Sequence, residues 1–530
     1  MVGSAISATE ARTATASASV PAAGHEDETG LKANAIGFVD ALVIGLASTA
    51  PAYSLAVVIG LITLVVGPQA PAALLVSFVP MFFIATAFYY MNRADPDAGT
   101  TFSWVTRAMG PWAGWLGGWA VCVTGILVIG SLADVGARYT LLLVGWDSAA
   151  ESKPTVTVFA VLIIVVMTAI CILGTELSAR IQNVMIIGQV GALLLFAVVA
   201  LVDVYRGDAT DASLRPEASW FSPFEIESSN ALFSALLVGV FIYWGWESAV
   251  NLCEETKDSR STPGLAAVFS TGILLVTYVA VGTAVVAFAG LELLNEFADD
   301  ESIFSVLATD VLGSPWDKLV VLAIVTSAIA SSQTTIIPAS RTTLSMARSG
   351  AFPAILSRIH PRFRTPHVAT AAIAALAVLW YVPLNLVSEN FLFDTISALS
   401  LMIAFYYALS GVACAVYYRR ELRKSFRNAL FMGVAPLLGA GLLAYLFVEA
   451  TRALADPEQS YSGGTFLGFG LPLVIGYGFL ILGAVLLVAW RLTGHPRFFG
   501  RKPFEAVDPA VAEGRVAVEE TAGLDEPGKS

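Results

Sequence analysis

The chain is 530 residues long, 56% hydrophobic and 13% charged, with a mean hydropathy of +0.74 and a formal net charge of −12. Soluble domains carry roughly 25% charged residues, so this composition excludes an ordinary soluble enzyme or binding domain. It points to an all-α polytopic membrane protein.

The first 33 residues are rich in Ala, Ser and Thr and acidic at Glu26, Asp27 and Glu28. With no basic segment leading into an apolar one, 1–33 reads as a disordered cytoplasmic tail rather than a signal peptide. Apolar stretches of about 20 residues, enough for a helix to cross a bilayer, then recur at 36–66, 70–91, 112–145, 154–175, 181–203, 230–252, 264–290, 317–345, 367–387, 391–418, 428–450 and 470–490. They are continuously apolar instead of alternating with period two, which selects helices over a barrel. The expectation is a twelve-helix domain over 34–492, followed by a cytoplasmic tail over 493–530. Cys122, Cys171, Cys253 and Cys414 fall in or beside spans, where inert buried thiols are expected; no Cys/His spacing suggests a metal site, and no cofactor is indicated.

The basic residues set the topology. With the N-terminus inside, the cytoplasmic connections hold clusters such as Arg358, Arg362 and Arg364 or Arg419, Arg420, Arg423 and Lys424, while the opposite side holds only Arg138, Lys153, Arg206, Arg215, Lys318 and Arg452. That asymmetry places both termini in the cytoplasm of a multi-pass cell-membrane protein. It also accounts for the basic clusters without nucleic acid.

Two spans are interrupted. The first carries Ala47-Ser48-Thr49-Ala50-Pro51-Ala52-Tyr53 and the sixth carries Phe241, then Tyr243-Trp244-Gly245-Trp246-Glu247-Ser248. Backbone that leaves its helical bonds inside lipid costs several kcal/mol unless protein, water or a solute satisfies it. Pro51 fits the first position of a new half-helix, capped near Ser48, Thr49 or Ala50, so that the amides of Ala52 and Tyr53 point at the gap. Gly245 permits backbone geometry closed to other residues, letting carbonyls near Phe241, Tyr243 and Trp244 face the same gap. A positive half-helix end suits a carboxylate and a negative one suits an ammonium group, so a zwitterion fits the pair.

Five spans are an odd number, so spans one to five and six to ten would form a 5+5 inverted repeat, with discontinuous helices at spans one and six and spans eleven and twelve appended. Glu247 is an intramembrane acid of the kind that serves a pathway or a proton relay. Asp134 and Arg138 lie four apart on one face of span three, which suggests a mutual ion pair. Asp40, Glu176, Glu254 and Glu255 near cytoplasmic span ends suggest gate contacts with Arg180, Lys257 or Arg260.

These fragments resemble the amino acid–polyamine–organocation superfamily, the amino acid permeases with a LeuT-type fold. The similarity covers roughly 34–492 and rests on the first-span break, Gly245-Trp246-Glu247-Ser248 followed by Glu254-Glu255-Thr256, Ser345 to Pro353 after span eight, and Asp97-Ala98-Gly99-Thr100 before span three. The resemblance implies alternating access, with substrate held by Ala47, Ser48, Thr49, Ala50, Pro51, Ala52, Tyr53, Phe241, Tyr243, Trp244 and Gly245, and with Glu247, Gln189, Ser331 and Ser332 in gating or coupling. There are departures. Pro51 removes an amide from the expected carboxylate nest, and Gln189 stands where proton-coupled members carry a lysine. Ser331, Ser332, Thr334 and Thr335 supply oxygens for a sodium-like site or for plain helix packing, so the coupling ion, proton or sodium, stays open.

The expectation is therefore a secondary transporter of amino acids, whose partners are a small solute and the lipid bilayer, with no obligate protein partner indicated. A polyamine or other organic amine is the alternative substrate. A polytopic enzyme is disfavoured by the absence of paired metal ligands, a catalytic His or a nucleophile motif in the spans. A sensor that binds without flux is the third reading.

Overall fold

A computed structural model describes residues 30–296, 303–387, 390–493, 496–501 and 503, with 175–178, 181, 496 and 497 described by backbone alone. In an apolar surround each segment must satisfy its own backbone, and the chain does so with helices. In order these are α1 (Phe38–Ser48), α2 (Pro51–Val66), α3 (Ala70–Ala94), α4 (Thr101–Met109), α5 (Pro111–Leu143), α6 (Asp147–Ala150), α7 (Lys153–Leu173), α8 (Thr175–Arg206), α9 (Ser229–Ile242) and α10 (Ser248–Asn251). There follow α11 (Thr262–Glu296), α12 (Ile303–Leu312), α13 (Lys318–Arg348), α14 (His367–Val387), α15 (Phe391–Tyr417), α16 (Phe426–Ala429), α17 (Ala435–Ala453), α18 (Leu471–Leu492) and α19 (Pro496–Phe499). Strands β1 (Thr465–Phe466) and β2 (Phe469–Gly470) form a small antiparallel hairpin before α18.

Ten of the described helical stretches are long and apolar enough to cross a membrane. The first, Phe38–Ala94, contains α1, α2 and α3. α9 has 14 residues, about 21 Å at 1.5 Å per residue. That is short of the roughly 30 Å hydrocarbon core; its path continues through the irregular 243–247 into α10.

α5 and α13 lie packed together at the centre, where most of their residues are buried. α7, α8, α14 and α18 stand at the periphery and turn Val158, Val165, Val184, Ile187, Leu379 and Val485 outward. An outward apolar face is what a lipid-exposed helix requires.

The end of the bundle where α1 begins is sealed by polar contacts. Arg341 on α13 and Glu255 after α10 are both fully enclosed and meet at 2.8 Å, and Arg348 meets Glu254 at 2.9 Å. Beyond the anticipated Arg180, Lys257 and Arg260, the α13 arginines reach these acids because α13 runs alongside α10. Asp40 accepts from Asn183 at 2.7 Å. Asn251 donates to the carbonyl of Ala98 and the hydroxyl of Thr100, and Asp97 accepts from Ser103 and Ser345, which fastens the 95–100 connection across α10 and α13. Asp95 pairs with Arg107, yet burial still pushes its carboxyl up to about 7.

The expected tails lie mostly outside the described residues, and the parts that are described pack. Leu31 is buried, the carbonyl of Gly30 accepts from Arg364 at 3.2 Å, and Ile36 exchanges backbone bonds with Glu255 and Lys257. Phe498 in α19 stacks on Phe102 at a ring separation of 5.7 Å. These contacts bring residues just outside 34–492 against the helical bundle.

Removing one partner of a buried ion pair costs about 3–5 kcal/mol, since the remaining charge is left uncompensated. Arg341→Met is expected to lower the apparent melting temperature in detergent more than the double change Arg341→Met with Glu255→Gln. Equal losses in the two variants would contradict a paired, enclosed charge.

Candidate functional site at the paired helix breaks

α1 ends at Ser48 and α2 begins at Pro51, so the first helix breaks where a residue without a backbone donor sits at the start of the second half. Between them Ala50 adopts a left-handed conformation, φ 49° and ψ 61°. That is uncommon for a residue with a Cβ. The bend is held by Ser54, whose hydroxyl donates to the Thr49 carbonyl at 2.7 Å, and by the Thr49 hydroxyl, which donates to Leu46 at 2.7 Å.

The second break presses against the first. Gly245 has φ +119°, and a Cβ at this position would stand 2.6 Å from the carbonyl oxygen of Ser48. Both the backbone angle and the approach demand glycine here. Around the contact, the Ser48 and Ser248 hydroxyls meet at 2.7 Å, Ser331 on α13 donates to the Ser48 carbonyl at 2.9 Å, and Ser248 donates to the Thr334 carbonyl at 3.3 Å. The Tyr278 hydroxyl on α11 donates to the carbonyl of Ile242 at 2.8 Å and reaches that of Thr49 at 3.4 Å. Several backbone groups released by the two breaks are thus satisfied by side chains from α11 and α13.

Others are not. Among the described residues no hydrogen bond closes on the amides of Ala52 and Trp246 or on the carbonyls of Tyr243 and Trp244. The amide of Tyr53 is engaged by Ser327 at 3.3 Å, and the Phe241 carbonyl accepts from the Trp244 amide at 3.0 Å. The Ala52 amide lies at the start of α2, the positive end of a half-helix, and the Tyr243 and Trp244 carbonyls lie just past the end of α9, the negative end. That arrangement offers one pole to an anion and one to a cation. All the expected substrate-contact residues, 47–53, 241 and 243–245, are buried, so the breaks are closed to solvent here.

Glu247 is enclosed and multiply held. Its carboxylate accepts from Tyr406 and Tyr407 on α15 and from the Gly245 amide at 3.2 Å, while the Trp244 indole donates to Tyr406. Trp246 stacks on Tyr407 at 5.4 Å, with Phe88 edge-on to both. The acid is therefore a strut tying the Gly245 turn to α15.

The other sequence candidates separate. Ser331 reaches the break, whereas Ser332, turned about 100° further round the helix, donates back to Ala328 at 2.9 Å. Gln189 on α8 is buried, and neither polar atom of its amide has a partner among the described residues. Gln182, two turns earlier, bridges to Ala330 and Gln333 on α13. Sequence reasoning missed Tyr278, Ser327, Tyr406 and Tyr407. Ser248 was legible in the Gly-x-Glu-Ser run but had no role assigned.

With this geometry in view, residues 36–487 match the family model described as amino acid permease. The branched-chain amino acid permease BcaP of Bacillus subtilis is 25% identical over 409 residues, covering 72% of this chain and 80% of that protein. The methylthioribose transporter of B. subtilis is 23% identical over 425 residues, 76% of this chain and 84% of its own length. The serine/threonine exchanger SteT of B. subtilis is 25% identical over 389 residues, 72% and 82% respectively.

Gly245→Ala adds a methyl group where only 2.6 Å is available and imposes a strained φ. The variant is expected to part the two breaks and to abolish the thermal stabilisation conferred by any solute that stabilises the parent protein. Ligand-induced stabilisation of equal size in both proteins would contradict the contact.

Proposed function

The chain belongs to the amino acid permease family, and from that premise we propose a secondary transporter that carries neutral amino acids across the cell membrane by alternating access. One observation carries the substrate assignment: where the two breaks abut, the amide of Ala52 in one and the carbonyls of Tyr243 and Trp244 in the other are left without hydrogen bonds. A carboxylate at the positive half-helix end and an ammonium group at the negative end use both poles. Glu247, the one carboxylate at the breaks, is occupied by Tyr406, Tyr407 and Gly245, so no further charge is offered to a substrate side chain. Neutral solutes follow.

In this reading α1 with α2, and α9 with α10, are the discontinuous first and sixth of twelve spans. The other spans are α3, α5, α7, α8, α11, α13, α14 and α15, with the α16–α17 stretch and α18 as spans eleven and twelve, and the first ten form a 5+5 inverted repeat. Both termini are cytoplasmic, as the Lys/Arg asymmetry favours, so the Glu255–Arg341 seal is the cytoplasmic closure. Residues 47–53, Phe241, Tyr243, Trp244 and Gly245 line the solute; Glu247, with Ser331 behind the break, couples occupancy to helix movement. Ser332 and Gln189 are assigned no contact with the solute.

A solute lacking a carboxylate is the second reading. Pro51 and the Ser327-bound amide of Tyr53 leave Ala52 as the open donor at the start of α2, and one relative is named for methylthioribose transport.

Flux into liposomes containing the purified protein separates the readings. Saturable uptake of a neutral amino acid, competed by other neutral amino acids and indifferent to diamines, is expected. Absence of saturable flux for every amino acid offered would refute the assignment. Glu247→Gln weakens bonds to a charged group worth about 1.5–3 kcal/mol each, and is expected to lower maximal uptake on the order of tenfold. Unchanged kinetics would remove Glu247 from the mechanism.

A further inference from the structure

A second polar cluster lies along α5, outside the breaks but joined to them. The Tyr53 hydroxyl, at the start of α2, meets the Ser131 hydroxyl at 2.5 Å. Three residues along the same helix, Asp134 is buried, and one oxygen of its carboxylate accepts from Tyr381 and, at 3.0 Å, from the Asn385 amide, both on α14. These bonds run across to α14; Arg138, the partner expected from the sequence, acts on the same carboxylate from along α5. Asn385 also contacts Thr157 on α7 at 3.1 Å. The cluster is built for close approach: a Cβ on Gly130 would stand 2.6 Å from the Cβ of Tyr381, so glycine is what lets α14 seat its tyrosine beside Ser131.

Between Ser131 and Tyr381 lies a cavity of about 20 Å³, also lined by Trp380, Asn385 and Thr395. That is room for one water, which needs about 10–15 Å³ and two to four polar partners. The Trp380 indole N–H is buried with no acceptor among the described residues, and it belongs to this cavity's lining. A single water there completes a path from Asp134 through Tyr381, water and Ser131 to Tyr53.

We propose that Asp134 is the proton-carrying group of this transporter, wired to the first helix break by Tyr381, one water, Ser131 and Tyr53. The inference rests on the transporter reading above and assigns its coupling ion as the proton. The carboxylate takes up one proton from the side of the membrane where α5 ends. The proton later leaves through the hydroxyls, each accepting one and passing one on, and is taken up from Tyr53 by water that enters the first break when it opens to the other side, so that only Asp134 changes protonation. Leu143 ends α5 nine residues beyond Asp134, about 14 Å at helical rise, so the group sits within the membrane and not at its surface. The ionisable groups around it are Tyr381 on α14, Arg138 on its own helix and Lys153 at the start of α7.

The test uses the full chain in liposomes with a dye reporting internal pH. Wild type is expected to accumulate the neutral amino acid under an inward proton gradient and to acidify the interior as it does so. Asp134→Asn is expected to lose both while keeping exchange of labelled for unlabelled substrate, a split that a purely structural role for Asp134 does not produce. Ser131→Ala interrupts the path without touching the acid. It is expected to lose gradient-driven accumulation and keep exchange, and it carries the test where Asp134→Asn does not fold. Accumulation surviving in either folded variant, or wild-type flux indifferent to the gradient, overturns the proposal alone. No wild-type flux overturns the transporter reading and this proposal together.

Discussion

The structure depends on the contact between Gly245 and the Ser48 carbonyl. Two helices that break inside an apolar bundle release backbone donors and acceptors, each expensive to leave unmade. Placing the breaks against one another lets the same few side chains serve both: Ser48 and Ser248 bond directly, Ser331 and Thr334 anchor them to α13, and Tyr278 anchors them to α11. The contact needs a residue without a Cβ at a positive φ, and Gly245 meets both conditions. Among the groups those side chains leave open, the Ala52 amide and two carbonyls after α9 are ones a small zwitterion can complete.

Polarity elsewhere in the bundle is arranged around movable joints. Glu247 ties the second break to Tyr406 and Tyr407, the Glu255–Arg341 pair closes one end, and Asp134 ties α5 to α14. Each spans two elements that alternating access would have to separate or slide. Buried ion pairs and networks are weak stabilisers compared with apolar packing but costly to half-break. They therefore suit a protein that must hold a closed arrangement and exchange it for another as a unit.

The breaks were legible because proline and glycine act on the backbone, and backbone chemistry is local. Pro51 starts a helix wherever it is placed well, and Gly245 marks an unusual φ without reference to any distant residue. Composition likewise announced the apolar helices and their approximate limits. The partners of Glu247 were not legible: Tyr406 and Tyr407 lie some 160 positions away, and nothing in span ten distinguishes them from packing aromatics. Ser331 and Ser332 are neighbours in sequence, yet a rotation of one residue sends one to the break and the other to its own helix. The same limit applies to Asp134, whose helical neighbour Arg138 is the obvious partner by spacing. It also accepts hydrogen bonds from Tyr381 and Asn385, which the close approach at Gly130 brings within reach.

The most direct measurement is an experimental structure of the full chain with a neutral amino acid bound. The account predicts the substrate carboxylate within hydrogen-bonding distance of the Ala52 amide and its ammonium group facing the carbonyls of Tyr243 and Trp244. An amino acid bound elsewhere, with both breaks still closed on one another and those three groups unmet, would contradict it.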